Sequence, residues 1–146
     1  MNAAAVAQVF FDRQHVMPAD VVATEQTGTD VDRPIDAVAG YLVALFEAHC
    51  AAELRPFLEA DAEALVATQI DWLQRAPVAA GATLRLTGWV EAAGTRAVTF
   101  RVQAHDAQEE VCEGRLRFDV AEREQAARAM TRKRAATQRR QLFWGA

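Results

Sequence analysis

Alternation of apolar and polar residues dominates the second half of the chain. Leu84, Leu86 and Val90 alternate with Arg85, Thr87 and Glu91. Val98, Phe100, Val102 and Ala104 alternate with Thr99, Arg101, Gln103 and His105, and Cys112, Leu116, Phe118 and Val120 with Glu113, Arg115, Arg117 and Asp119. A period of two turns one set of side chains to a core and the other to water. Three consecutive antiparallel strands are therefore predicted, joined at Gly94 and at the Asp106–Glu110 stretch. Upstream, Leu65 to Leu73 is a further strand candidate, and Val6 to Val16 has β character that Pro18 breaks.

Between these strands the period changes. Val38, Leu42, Leu45 and His49, with Tyr41, Phe46 and Leu54 beside them, follow helical spacing. Asp36 is placed to cap this helix, and Pro56 to end or kink it. Between Ile35 and Ala52 only Asp36 and Glu47 are charged. A helix apolar nearly all round is usually a buried one. The stretch from Asp20 to Pro34 is polar and reads as a long loop. The order strand, loop, buried helix and four strands predicts an α+β domain with one helix against one antiparallel sheet.

After Val120 the composition becomes that of a polar helix. Seven basic residues from Arg123 to Arg140 face only Glu122 and Glu124, leaving nine basic and eighteen acidic residues in the rest of a chain whose net charge is −4. The domain is expected over residues 1–121, with a basic helical extension over 122–146. The basic residues lie round the helix rather than on one stripe and lack interleaved aromatics. A solvated helix is expected, and no nucleic-acid partner. Leu142, Phe143 and Trp144 are expected to pack on the domain or on a neighbouring subunit, not in a membrane. No apolar run is long enough to span a bilayer. Cys50 and Cys112 form neither a disulfide framework nor a zinc spacing, and no histidine pair has ligand spacing. No metal or other cofactor is expected, and both cysteines read as small core residues. Together these point to a cytoplasmic setting, and the bias to Ala and Arg suggests a bacterial source.

Three segments, taken in order, resemble the fluoroacetyl-coenzyme A thioesterase-like family of the hotdog superfamily. They are the helical ALFEAHCAAELRPFL, the hairpin VTFRVQAHDAQEEVCEG and the helical tail after Asp119. The resemblance implies a hotdog fold, in which a curved antiparallel sheet wraps a central helix. It also implies a homodimer or higher homo-oligomer and hydrolysis of a small or medium acyl-coenzyme A (acyl-CoA) thioester. That family uses a Thr at the start of the helix, a Glu two turns later and a His on the following strand. Here Glu47 stands at the Glu position, Ala39 at the Thr position and Gln74 at the His position.

The resemblance makes Glu47 the expected base or nucleophile and Gln74 an orienting group. A carboxylate on so apolar a helix is poorly solvated, which strengthens it as a base. Ala39, Gly40, Thr68 and Gln69 are expected near the substrate, Gly40 because it permits close approach of a ligand. The alternative for Glu47 is a carboxylate pointing into a polar seam or a dimer interface. Two further functional readings stay open. One is a non-catalytic protein that binds acyl thioesters or other proteins. The other is a hydratase or dehydratase, because TDVDRPID resembles the Asp-x-Asn-Pro-x-His motif of hotdog hydratases, with Asp36 where the His would be and the spacing off by one.

Overall fold

The structure, a computed structural model, describes residues 1–19, 21 and 37–144. The expected loop from Asp20 to Pro34, the Asp36 cap and the TDVDRPID motif lie outside the described residues. A single helical turn, Ala3–Val6, precedes strand β1, Phe10–Val16. The central helix is Ala37–Leu54, and Pro56 sits in the 3-10 turn Arg55–Phe57 that ends it. Strands β2, Glu63–Gln74, β3, Thr83–Ala93, β4, Ala97–His105, and β5, Glu110–Glu122, follow. The terminal helix is Arg123–Trp144.

The five strands form one antiparallel sheet in the order β1-β3-β4-β5-β2. The meander read from alternation is thus the middle of the sheet, with β1 and β2 as its edges. The tight turns follow from local chemistry. Gly94 N–H donates to the Ala97 carbonyl at 2.8 Å to close β3–β4. Asp106 Oδ1 accepts from Gln108 N and Glu109 N, both at 2.8 Å, to close β4–β5, an Asx turn. Gly81, at φ 72°, supplies the left-handed residue before β3. Register shifts at Thr68, at Glu91 and between Ala104 and His105 interrupt three of the ladders. Such bulges add twist and bend to a sheet.

The sheet curls around one side chain. Phe46, fully buried on the central helix, lies with its ring 6.3 Å from Phe11 of β1 and 5.8 Å from Trp72 of β2. Residues on both outermost strands therefore reach the same helical position. Each edge aromatic has room because a glycine faces it on the neighbouring strand. Phe11 pairs with Gly88 and Trp72 with Gly114, and a Cβ at either glycine would run into the aromatic ring. Phe100 and Phe118 continue the aromatic core, edge to face at 6.2 Å. Cys50 and Cys112 are fully buried in it. Burial pushes the Cys50 thiol far up and that of Cys112 up to about 12, so both behave as small apolar residues.

A polar seam closes the β1 side. Arg13 pairs with Glu53 at 3.1 Å, His15 Nε2 lies 2.7 Å from the Tyr41 hydroxyl, and His49 stacks on Phe11 at 5.8 Å. Burial, then the positive charge of Arg13 and His15, hold the His49 imidazolium form below its ordinary value of 6.5, against a small opposing effect of Glu53.

Two predictions follow from this packing. Gly88→Ala overpacks the Phe11 contact and destabilises the protein by about 1–3 kcal/mol, whereas Phe46→Ala empties the clasp and costs about 3–5 kcal/mol; denaturant unfolding measures both. A histidine lowered by folding contributes stability above its unfolded value and loses that contribution as pH falls through 6.5 toward the folded value. Wild type is therefore expected to lose stability relative to His49→Gln between about pH 7 and pH 5. Parallel stability curves across that window would refute the assignment.

Candidate active site

Burial along the central helix repeats every four residues. Val38, Leu42, Phe46, Cys50 and Leu54 are buried. Gly40, Ala44, Ala48 and Ala52 are exposed, and the two ridges between them are half-buried. An α-helix turns about 100° per residue, so a four-residue stripe advances about 40° per repeat and winds round the helix. The helix is buried along this winding stripe rather than all round, and its open face carries only Gly and Ala.

The two half-buried ridges face opposite edges of the sheet. Tyr41, Leu45, His49 and Glu53 form the ridge that meets β1, where His15, Phe11 and Arg13 lie. Ala39, Val43, Glu47 and Ala51 form the other, on the β2 flank, beside the Phe46–Trp72 contact. Glu47 thus shares one ridge with Ala39, two turns earlier, while Gly40 lies on the adjoining open ridge. A Cβ built at Gly40 would meet nothing within 4 Å among the described residues. Unlike Glu53 on the opposite ridge, Glu47 makes no hydrogen bond or ion pair with any of the described residues.

Gln74 lies at the far end of β2, on the same strand face as Trp72. Its Oε1 accepts from Trp72 Nε1 at 3.1 Å, and its Nε2 donates to the Ala76 carbonyl at 3.2 Å. These bonds orient the amide and leave one N–H free. Trp72, absent from the residues singled out in the sequence, links the elements: its ring packs on Phe46 and its indole N–H holds Gln74. An aromatic residue opposite Gly114 and two residues before Gln74 was the available signal.

Thr68 and Gln69 stand elsewhere. The bulge at Thr68 shifts the alternation, and Gln69 pairs with Arg117 on the outer face of the sheet. There it borders a groove with Asp71, Glu91, Thr99 and Arg115. The Thr68 hydroxyl donates to Asp119, a bond that helps to hold that carboxyl below its ordinary value. The structure therefore puts Trp72 and Gln74 on the inner face of β2, where Trp72 meets Phe46 of the central helix, and sets Thr68 and Gln69 on the outer face. No group of three or more His, Cys, Asp or Glu suited to a metal occurs among the described residues. No helix among them is long and apolar enough to cross a membrane.

Chemically, a half-buried carboxylate can accept a proton from water, and an amide oriented as that of Gln74 can hold a carbonyl oxygen.

Comparison with known proteins identifies the fold and the family. No curated protein matches the chain. Among solved structures, the fluoroacetyl-CoA thioesterase FlK superposes with a TM-score of 0.71 at 22% identity, over 87% of this chain and 96% of that one. A Thermus thermophilus protein described as a thioesterase superfamily member gives 0.73 at 16% identity, over 90% and 94% of the two chains. A hot-dog-like protein from Thermanaerovibrio acidaminovorans gives 0.71 at 13% identity, over 91% and 97%. These likenesses establish the hotdog fold. The family model for fluoroacetyl-CoA-specific thioesterase matches residues 16–124, most of the sequence, and the chain belongs to that thioesterase family.

Proposed function

We propose that the protein hydrolyses a small or medium acyl-CoA thioester, with Glu47 as the base. The observation that carries this reading is the half-buried Glu47 side chain, which has no partner among the described residues and follows the Phe46 that meets Trp72, the residue that holds Gln74. In the proposed step Glu47 takes a proton from water as the water oxygen attacks the thioester carbonyl carbon. The free N–H of Gln74 and the backbone N–H of Ala39, in the first turn of the helix, donate to the oxyanion that forms, with Gly40 leaving room for the substrate. Collapse of the tetrahedral adduct breaks the carbon–sulfur bond. The proton on Glu47 passes to the departing thiolate, giving free CoA and a carboxylic acid.

We further propose a homodimer formed through the β2 edge. This strand is twelve residues long and, among the described residues, leaves one side unpaired, a surface that soluble proteins normally cover. Val66, Ile70 and Leu73 on it are 43%, 41% and 48% exposed, and the Gly and Ala ridge of the central helix is open to close approach. Antiparallel pairing about a two-fold axis sets Thr68 and Gln69, at the middle of β2, beside the axis. The two buried free thiols and a CoA substrate suit a reducing cytoplasm.

Ala39 and Gln74 favour a second reading, since neither can donate or take a proton as the family's Thr and His do. On that reading the protein binds acyl thioesters without turning them over. Hydrolysis of an acyl-CoA panel, read as released thiol, separates the two. The catalytic reading predicts turnover above background and a fall in kcat of about 10²–10⁴-fold in Glu47→Gln with thermal stability unchanged. Equal rates for Glu47→Gln and wild type would remove Glu47 from the chemistry. Tight binding with no hydrolysis by wild type would assign the protein to the binding class.

A further inference from the structure

The terminal helix carries charge that the fold does not use. All of its described side chains from Arg123 to Leu142 are exposed except Ala129, which is half-buried. It holds seven basic residues and one acid, Glu124, in a chain with net charge −4. Arg128 is tied to Glu124 at 3.1 Å. The side chains of Arg132, Lys133, Arg134, Arg139 and Arg140 make no hydrogen bond or ion pair with any of the described residues. The outer face of the sheet is different. There Arg75, Arg85, Arg101, Arg115 and Arg117 each meet a carboxylate. The family match ends at residue 124, before Arg128 and the basic residues that follow it.

The root of the helix is fixed. Arg123 N–H donates to the Ala62 carbonyl at 2.9 Å, and Arg123 Nε to the Glu63 carbonyl at 2.8 Å. The helix therefore rises from the first residue of β2, whereas Trp72 and Gln74 lie at the other end of that strand. Two-fold antiparallel pairing of β2 edges sets the Glu63 end of one strand beside the Gln74 end of the other. Each helix, about 33 Å long at 1.5 Å per residue, then starts next to the candidate site of the opposite subunit.

We infer that the basic helix of one subunit holds the phosphates of the CoA bound at the Glu47 site of the other. This inference rests on the proposed acyl-CoA substrate and β2-edge dimer. Beyond its thioester arm, CoA ends in a nucleotide with a pyrophosphate and a ribose phosphate. The remainder of the chain, with nineteen acids against nine bases, repels such an anion. Guanidinium and ammonium groups without carboxylate partners attract it, by charge-assisted hydrogen bonds and by long-range steering.

The test is the full-length triple variant Arg132→Glu/Lys133→Glu/Arg134→Glu, whose substitutions are all on solvent-exposed positions. It is assayed with an acyl-CoA and with the matching acyl-pantetheine thioester, which lacks the nucleotide. KM for the acyl-CoA is expected to rise about 10-fold with kcat unchanged, and the acyl-pantetheine kinetics are expected to match wild type. Equal KM changes for both substrates, or none for either, would overturn the inference. Calorimetry with CoA itself gives an independent reading, with affinity expected to fall by a similar factor. If wild type hydrolyses nothing, the thioesterase reading fails while the CoA titration still decides this one. Unchanged CoA affinity overturns it, and retention of duplex RNA by wild type with no such change would assign the helix to nucleic acid instead.

Discussion

The architecture depends on the contact of Phe46 with both edges of the sheet. A five-stranded sheet that lay flat could not bring β1 and β2 to the same residue. Here Phe11 and Trp72 arrive from opposite sides, each over a glycine of the neighbouring strand. The curvature so fixed determines how the helix lies. A sheet that wraps its helix covers a winding stripe, which is why burial repeats every four residues rather than at the helical 3.6. The position next to Phe46 then falls on the flank of the stripe, half-covered by the β2 edge. Glu47 is held there without being sealed in or paired off.

The two flanks of the helix illustrate how local partners decide chemistry. On the β1 side the polar groups neutralise one another: Arg13 meets Glu53 and His15 meets Tyr41. On the other flank Glu47 has no such partner among the described residues, and on β2 the Gln74 amide is held in place by Trp72. The same asymmetry recurs in the arginines. Those on the sheet's outer face lie in exposed ion pairs that contribute little to stability, whereas those far along the terminal helix face water.

Much of this fold was legible in the sequence because its strands obey a period of two and its helix does not. Leu84, Leu86, Phe100, Val102, Leu116 and Phe118 were placed inward by alternation alone, and all are buried. Bulges were not legible. Val111 is buried beside Cys112 because a register shift brings two consecutive residues inward. The bulge at Thr68 similarly sets the facing of Gln69, which no count along the strand reveals. The importance of Trp72 depends on Gly114, forty-two residues away in sequence and directly opposite in the sheet. Glu47 stood out as the lone charge in the middle of an apolar helix. Its freedom from partners is a property of three-dimensional packing, since an equally plausible reading paired it in a seam like the one that holds Glu53.

The proposed role of Glu47 as base requires that the Phe46 clasp leave it beside a substrate carbonyl at the β2 edge. A crystal structure with a non-hydrolysable ketone or thioether analogue of an acyl-CoA would settle this. The analogue's acyl end is expected between the central helix and the Gln74 end of β2, with a water bridging the Glu47 carboxylate to the carbon that stands for the thioester carbonyl. An acyl end lodged on the outer face of the sheet, or a Glu47 closed off in an ion pair with the partner subunit, would contradict it.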